Sequence, residues 1–244
     1  MMNVPNATDA TGDPCVSGGY APPMVRRDSD ADRFAAVRAG LVASLSRRVK
    51  DERVLAAIEQ VPRDQFVPPD MMSSAYMNAA LPIGDGQTIS QPLIVAHMTS
   101  ALRPGSGDRI LEIGTGSGYQ AAVLSLLVDE VISVERIPRL TEEARTRLSR
   151  LGYHNVRVEQ AVEELGWPGD APYDGIMVTA GAPELPLALL DQLREHGRMV
   201  VPTGPLRTQD LLLVTKTEGG HETTNLGACA FVPLIGRDAW PQDG

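Results

Sequence analysis

Aromatic residues make up only 4% of the 244 positions, and there are just two cysteines. Cys15 and Cys229 have no metal-binding neighbours at short spacing, so no metal centre is expected. A lone disulfide between them is left open; a reducing cytoplasmic setting is the simpler expectation. No apolar run reaches the length needed to cross a bilayer, and the first residues carry no apolar export signal. A membrane partner is therefore not expected. Positive charge is in deficit: 22 Lys and Arg face 31 Asp and Glu, for a net charge of −9. Phosphate backbones demand a basic footprint, so nucleic acid is excluded as a partner, while proteins and peptides are not. Two phosphate-binding signatures are also missing. There is no G-x-x-x-x-G-K-[ST] element, and no G-x-G-x-x-G, because Tyr119 stands where that fingerprint's third glycine belongs.

What is present is RILEIGTGSG, Arg109 to Gly118, an apolar run that breaks into Gly114, Gly116 and Gly118. This reads as a strand, a tight turn and a helix start. Glycines there let the backbone approach a ligand and adopt positive φ. Glu135 ends the next strand, VISVE, 21 residues after Gly114. A carboxylate so placed can accept both hydroxyls of a ribose, although a solvated strand-end charge would look the same. Glu112, just before the turn, would repel a pyrophosphate but suits an ammonium or a sulfonium. S-adenosyl-L-methionine answers all three features: adenosine, no phosphate, two positive centres.

From Arg109 onward strands and helices alternate. The expected strands are RILEI, VISVE, VRVEQA, YDGIMVTA, RMVVP, LLLVTK and CAFVPL. The expected helices are Gln120–Val128, Arg139–Leu151 and Pro186–His196, with Pro138 and Pro186 near their starts and Gly152 and Gly197 just past their ends. Continuous apolar strands between helices predict an α/β, doubly wound, mostly parallel sheet, with the ligand at the carboxyl ends of its first strands. Upstream, Phe34, Val37, Leu41, Leu45 and Val49 recur at helical spacing behind a cap at Ser29 or Asp30; a second helix carries Val54, Leu55 and Ile58. Residues 61–92 read as a long loop-rich stretch with several prolines and glycines, the kind that usually carries function; overlapping its end, Ser90 to Leu102 reads as helix. Three regions result: a disordered tail over 1–30, a helical and substrate-loop region over 31–105, and a ligand-binding core over 106–244.

From about Val49 to Trp240 the chain resembles the protein-L-isoaspartate O-methyltransferases. The resemblance rests on VPRDQFVP, AYMNAALPIGDGQTISQPLIVAHMT, ILEIGTGSGYQAAVL, GYHNV, GWPGDAPYDGIMVTAGAP and FVPLIG, with GQTISQP the most diagnostic. It implies a seven-stranded class I methyltransferase sheet, Rossmann-like, with an added N-terminal helical part. It implies S-adenosyl-L-methionine as cofactor and, as partners, proteins or peptides holding an L-isoaspartyl residue, whose α-carboxylate receives the methyl group. The ester then closes to a succinimide, and hydrolysis returns some normal aspartate. A monomer is expected.

The resemblance also assigns roles. Ser90 matches the active-site serine and would hold the substrate carboxylate; a helix cap is the plain alternative. Gln87, Thr88 and Ile89 share its loop beside cofactor and substrate. Gly114, Thr115 and Gly116 would pass under the methionine part, Glu112 is expected among the cofactor-binding residues, and Glu135 would hold the ribose. Asp174 is a structural position, and Phe231 and Trp240 are expected over the pocket edge. The scattered histidines, His97 included, suggest no proton relay, and none is needed for a carboxylate nucleophile. One departure stands out: where the family has Gly-Asp-Gly near the adenine, this chain has Ala161, Val162 and Glu163. Losing one neutral hydrogen bond there would cost about 0.5–1.5 kcal/mol. That change and the N-terminal tail motivate one alternative, methylation of an aspartate in a dedicated ribosomal peptide to form aspartimide; Val162 alone motivates another, a non-catalytic S-adenosylmethionine-binding protein.

Overall fold

A computed structural model describes residues 28–241. The first 27 positions of the expected tail, Cys15 among them, lie outside the described residues. Helix α1 runs Asp28–Leu45, so Ser29 and Asp30 lie within it and are not its cap. Helix α2, Glu52–Gln60, is capped by Asp51, whose Oδ1 accepts the amides of Arg53 and Val54 at 3.1 and 3.2 Å. A carboxylate there satisfies donors that the first turn leaves open.

The loop-rich stretch that follows holds more order than its composition suggests. Two short 3-10 turns, Arg63–Gln65 and Pro69–Ser74, lead into an antiparallel hairpin of β1 (Leu81–Gly84) and β2 (Gln87–Ile89). Arg63 is fully buried; its Nε donates to Ala75 O at 2.8 Å and its Nη2 to Ala79 O at 3.2 Å. The guanidinium lies 5.0 Å from the ring centroid of Tyr119. Helix α3, Pro92–Leu102, closes the helical addition.

The remaining elements are β3 (Arg109–Ile113), α4 (Tyr119–Ser125), β4 (Glu130–Glu135), α5 (Pro138–Arg150), β5 (Val156–Gln160), β6 (Tyr173–Val178), α6 (Leu187–Asp191), β7 (Leu193–Thr203), β8 (Gln209–Thr217) and β9 (Gly220–Cys229). They form one seven-stranded sheet in the order β5-β4-β3-β6-β7-β8-β9. The first five are parallel; β8 and β9 add antiparallel. Ile110 and Val131 face one apolar layer with α2, α3 and α4, while Leu111, Ile113 and Ile132 face the other with α6. Burial on both faces is why these strands read as unbroken apolar runs. Among the described residues, no helix is long and apolar enough to cross a membrane.

Two expected elements differ. The seventh strand is Gly220–Cys229, not CAFVPL: the turn at Gly219–Gly220 sends a polar segment back along β8, and the apolar residues after it leave the sheet. The helix expected over Pro186–His196 ends at Asp191, because the chain from Leu193 already runs as β7. Gly197 therefore lies inside a strand, where a Cβ would stand 2.8 Å from Leu193 Cγ and 3.0 Å from Asp174 O.

Candidate active site

The parallel strands end at a cavity of about 330 Å³, within the range of small-molecule sites. Its floor is the turn after β3. Gly114, Gly116 and Gly118 all have left-handed φ, of 96°, 52° and 87°. A Cβ on Gly114 would stand 2.4 Å from Thr179 Oγ1, and that hydroxyl is occupied, donating toward Ile113 O at 2.9 Å and Gly114 O at 2.6 Å. Only glycine fits there.

Glu135 forms the adjoining wall. Its Oε2 accepts the amide of Gly116 and its Oε1 the amide of Ile137, both at 2.8 Å. One bond comes from the glycine turn and the other from the lead-in to α5, so the carboxylate has one orientation. Each oxygen retains a second lone pair. The wall continues through Ala161 and Val162; the Ala161 amide donates to Glu135 O at 2.8 Å, and the Val162 side chain is 55% exposed at the rim. Glu163 reaches across the mouth to Arg237 at 3.5 Å.

Glu112 lies beneath this wall and is not part of it. It is fully buried; Ser133 Oγ donates to its Oε2, and Ser133 Oγ is 2.6 Å from Thr115 Oγ1. Its contact with the pocket thus runs through Thr115, which does line the cavity. Burial pushes the Glu112 carboxyl up to about 8; the hydrogen bond from Ser133 opposes that shift, and nearby Glu135 adds to it. The group is mostly protonated at neutral pH. Burial likewise raises the Tyr119 phenol, to about 12, so this lining residue stays neutral.

The roof is the hairpin and its exit. Gln87, Thr88, Ile89 and Ser90 all line the cavity, as the glycine turn does. The cap position of α3 is Gln91, whose side chain does not cap the helix; Asn78 Oδ1 accepts the Leu93 amide at 3.0 Å instead, so the Ser90 hydroxyl is not the cap. The C-terminal segment closes the far side. Val232 to Arg237 line the cavity, whereas Phe231 and Trp240 lie behind that lining. The Phe231 amide donates to Gln209 Oε1 at 2.8 Å, and Trp240 Nε1 donates to Gly181 O at 3.1 Å. Asp174 accepts from the Arg109 amide at 2.7 Å and pairs with Arg194 at 2.8 Å, a structural post away from the cavity. Thr179, Arg136 and Tyr119 also line the site. Their sequence signal is weak, since an ordinary Thr, Arg or Tyr gains meaning only from what it packs beside.

A parallel sheet with an antiparallel last pair, a glycine turn after its first core strand and a carboxylate ending the second together define a class I methyltransferase. The chain belongs to the protein-L-isoaspartate(D-aspartate) O-methyltransferase family, whose description matches residues 38–239. It is 52% identical over 195 residues to a protein-L-isoaspartate O-methyltransferase of Methanoculleus marisnigri, covering 80% of this chain and 89% of that one. It is 50% identical over 211 residues to a second such enzyme, of Marinobacter nauticus, covering 86% and 95%. Among solved structures, a protein-L-isoaspartate O-methyltransferase superposes with a TM-score of 0.75 at 31% identity, covering 83% of this chain and 67% of the other. A Plasmodium falciparum member in complex with S-adenosyl-L-homocysteine superposes with a TM-score of 0.69 at 26% identity, covering 80% and 96%.

Proposed function

We propose that this pocket takes S-adenosyl-L-methionine and that the chain methylates the α-carboxylate of L-isoaspartyl residues in damaged proteins and peptides. One observation carries the reading: the Glu135 carboxylate, clamped by the Gly116 and Ile137 amides, faces a cavity roofed by Gln87–Ser90. The residues fit the cofactor. Glu135 keeps lone pairs for two ribose hydroxyls, the glycine turn leaves room for close backbone approach, and Ala161, Val162 and Leu165 offer an apolar wall for a base. Bound there, the cofactor supplies an electrophilic methyl group.

The chain's own residues then position the acceptor. A carboxylate is ionised and nucleophilic at neutral pH, so no general base is required, and among the described residues no histidine or lysine lines the cavity. The Ser90 hydroxyl donates to the substrate carboxylate and fixes its approach from the roof side. Thr115, backed through Ser133 by Glu112, orients the floor. Alignment of this kind can supply about 7–11 kcal/mol at most. The resulting ester is lost when the following backbone nitrogen of the substrate attacks its carbonyl, expelling methanol and forming the succinimide.

The test is methyl transfer from labelled S-adenosyl-L-methionine to a peptide containing L-isoaspartate and to its normal-aspartate twin. Transfer to the isoaspartyl peptide alone is expected. Transfer to neither, with cofactor binding intact by calorimetry, would shift the assignment to a dedicated peptide substrate. Absence of cofactor binding would overturn it.

A further inference from the structure

The hairpin of β1 and β2 has two unlike faces. Leu81, Ile83 and Ile89 are buried beneath it, and Ile83 Cδ1 lies 3.4 Å from where a Cβ on Gly116 would stand. The tip is Gly84, Asp85 and Gly86, all with left-handed φ, of 94°, 49° and 70°. Asp85 is the sole charged residue between Leu81 and Ser90. Its Oδ2 accepts from Arg139 Nε at 2.8 Å and lies 2.7 Å from Arg139 Nη2, a two-pronged contact. The third nitrogen, Nη1, donates to Glu143 one turn further along α5, which fixes the guanidinium in place. The fit is close: a Cβ on Gly84 would stand 2.6 Å from Arg139 Nη2.

Arg139 sits in the first turn of α5, four residues beyond Glu135. The segment between them, Arg136 and Ile137, lines the same cavity as Gln87–Ser90. The pair therefore ties the hairpin tip to the start of α5, two elements whose neighbouring residues line the same cavity. We propose that Arg139 and Asp85 form an ionic latch that holds Gln87–Ser90 over the cavity and sets the rate at which a bound nucleoside cofactor leaves. Arg139 is thus a positioning residue for Ser90. The inference rests on the proposed function only for the identity of the ligand.

Both partners are exposed, 48% and 40%, so the latch is weak and is screened by salt. Exposed pairs of this kind shift an equilibrium by about 1.5- to 5-fold, which suits a roof that must open in each turnover. The first experiment is stopped-flow release of S-adenosyl-L-homocysteine at about 20 mM and 500 mM salt. In low salt Asp85→Asn is expected to release it about threefold faster than the parent, with Arg139→Lys in between. High salt is expected to bring the parent up to the Asp85→Asn rate and leave that variant nearly unchanged. Equal rates in low salt, or equal acceleration of both proteins by salt, would overturn the latch. Hydrogen exchange at the Gln87 to Ile89 amides of the ligand-free protein separates this from the choice of ligand. Faster exchange in Asp85→Asn supports the latch whatever the pocket binds, and unchanged exchange overturns it.

Discussion

The floor and the roof of the pocket are built by opposite means. The floor is a turn with no spare volume, closed by the Thr179 hydroxyl and clamped through two amides to a nearly buried Glu135. The roof is a nine-residue hairpin, Leu81–Ile89, with three buried apolar side chains and one exposed ion pair at its tip. Buried hydrogen bonds in tight packing have one arrangement, whereas an exposed ion pair exchanges with water at little cost. A site that must recognise a ligand and also let it go needs one surface of each kind.

Breaking the floor is expected to do the most damage. Gly114→Ala places a methyl group against Thr179 at a left-handed φ, and a loss of about 2–4 kcal/mol in urea-unfolding stability follows. Unchanged stability would mean that the floor deforms as readily as the roof. Beneath it, Glu112 gives a pH signature. Its folded value of about 8 lies above the unfolded value of 4.5, so between them the folded state holds the extra proton. Stability from this group is complete below about 4.5 and is lost as pH rises through about 8. Glu112→Gln removes that loss. Its stability relative to the parent is therefore expected to climb as pH goes from about 5 to 8, by up to about 1.4 kcal/mol per pH unit. Parallel profiles for the two proteins would show that the carboxyl is not held neutral.

At the wall, Glu135→Ala orphans the Gly116 and Ile137 amides as well as the ribose hydroxyls, and cofactor Kd by calorimetry is expected to rise at least about tenfold. At the roof, Ser90→Ala is expected to lower kcat/KM for an isoaspartyl peptide by about tenfold while cofactor Kd stays within about twofold. A matching loss of cofactor affinity would place Ser90 with the floor. The smallest effect belongs to the rim. Val162→Asp offers an acceptor to an adenine amine and is expected to tighten the cofactor by less than about tenfold; no gain would mean that another group already meets the amine.

The floor was legible in the sequence and the roof only in part. Gly114, Gly116, Gly118 and Glu135 announce themselves because positive φ and strand-end carboxylates have few substitutes. The five parallel strands are legible because burial on both faces forces continuous apolar runs. β9 is hidden for the converse reason: all but two of its ten residues are exposed, so β8 imposes its strand character by backbone pairing. The β1–β2 hairpin is hidden because Pro82 and Gly84 interrupt strands only four and three residues long. Glu112 reads in the sequence as a charged contact for a cationic cofactor, but the fold buries it beside Ser133 of the neighbouring strand, mostly protonated and outside the cavity lining, so that contact is not made. Asp85 and Arg139 are 54 residues apart and look like ordinary surface charges until the fold brings them together.

Arg63 has a consequence for how such a protein can change. It holds the approach to the roof by the main-chain oxygens of Ala75 and Ala79, not by their side chains. Carbonyl oxygens are the same at every position, so this tether does not depend on the side chains of 75–79, although Ala75 and Tyr76 are buried and Tyr76 and Asn78 make hydrogen bonds of their own. Met77, at the crest of that path, is 57% exposed. Position 77 can therefore change while the buried arginine keeps the frame on either side of it.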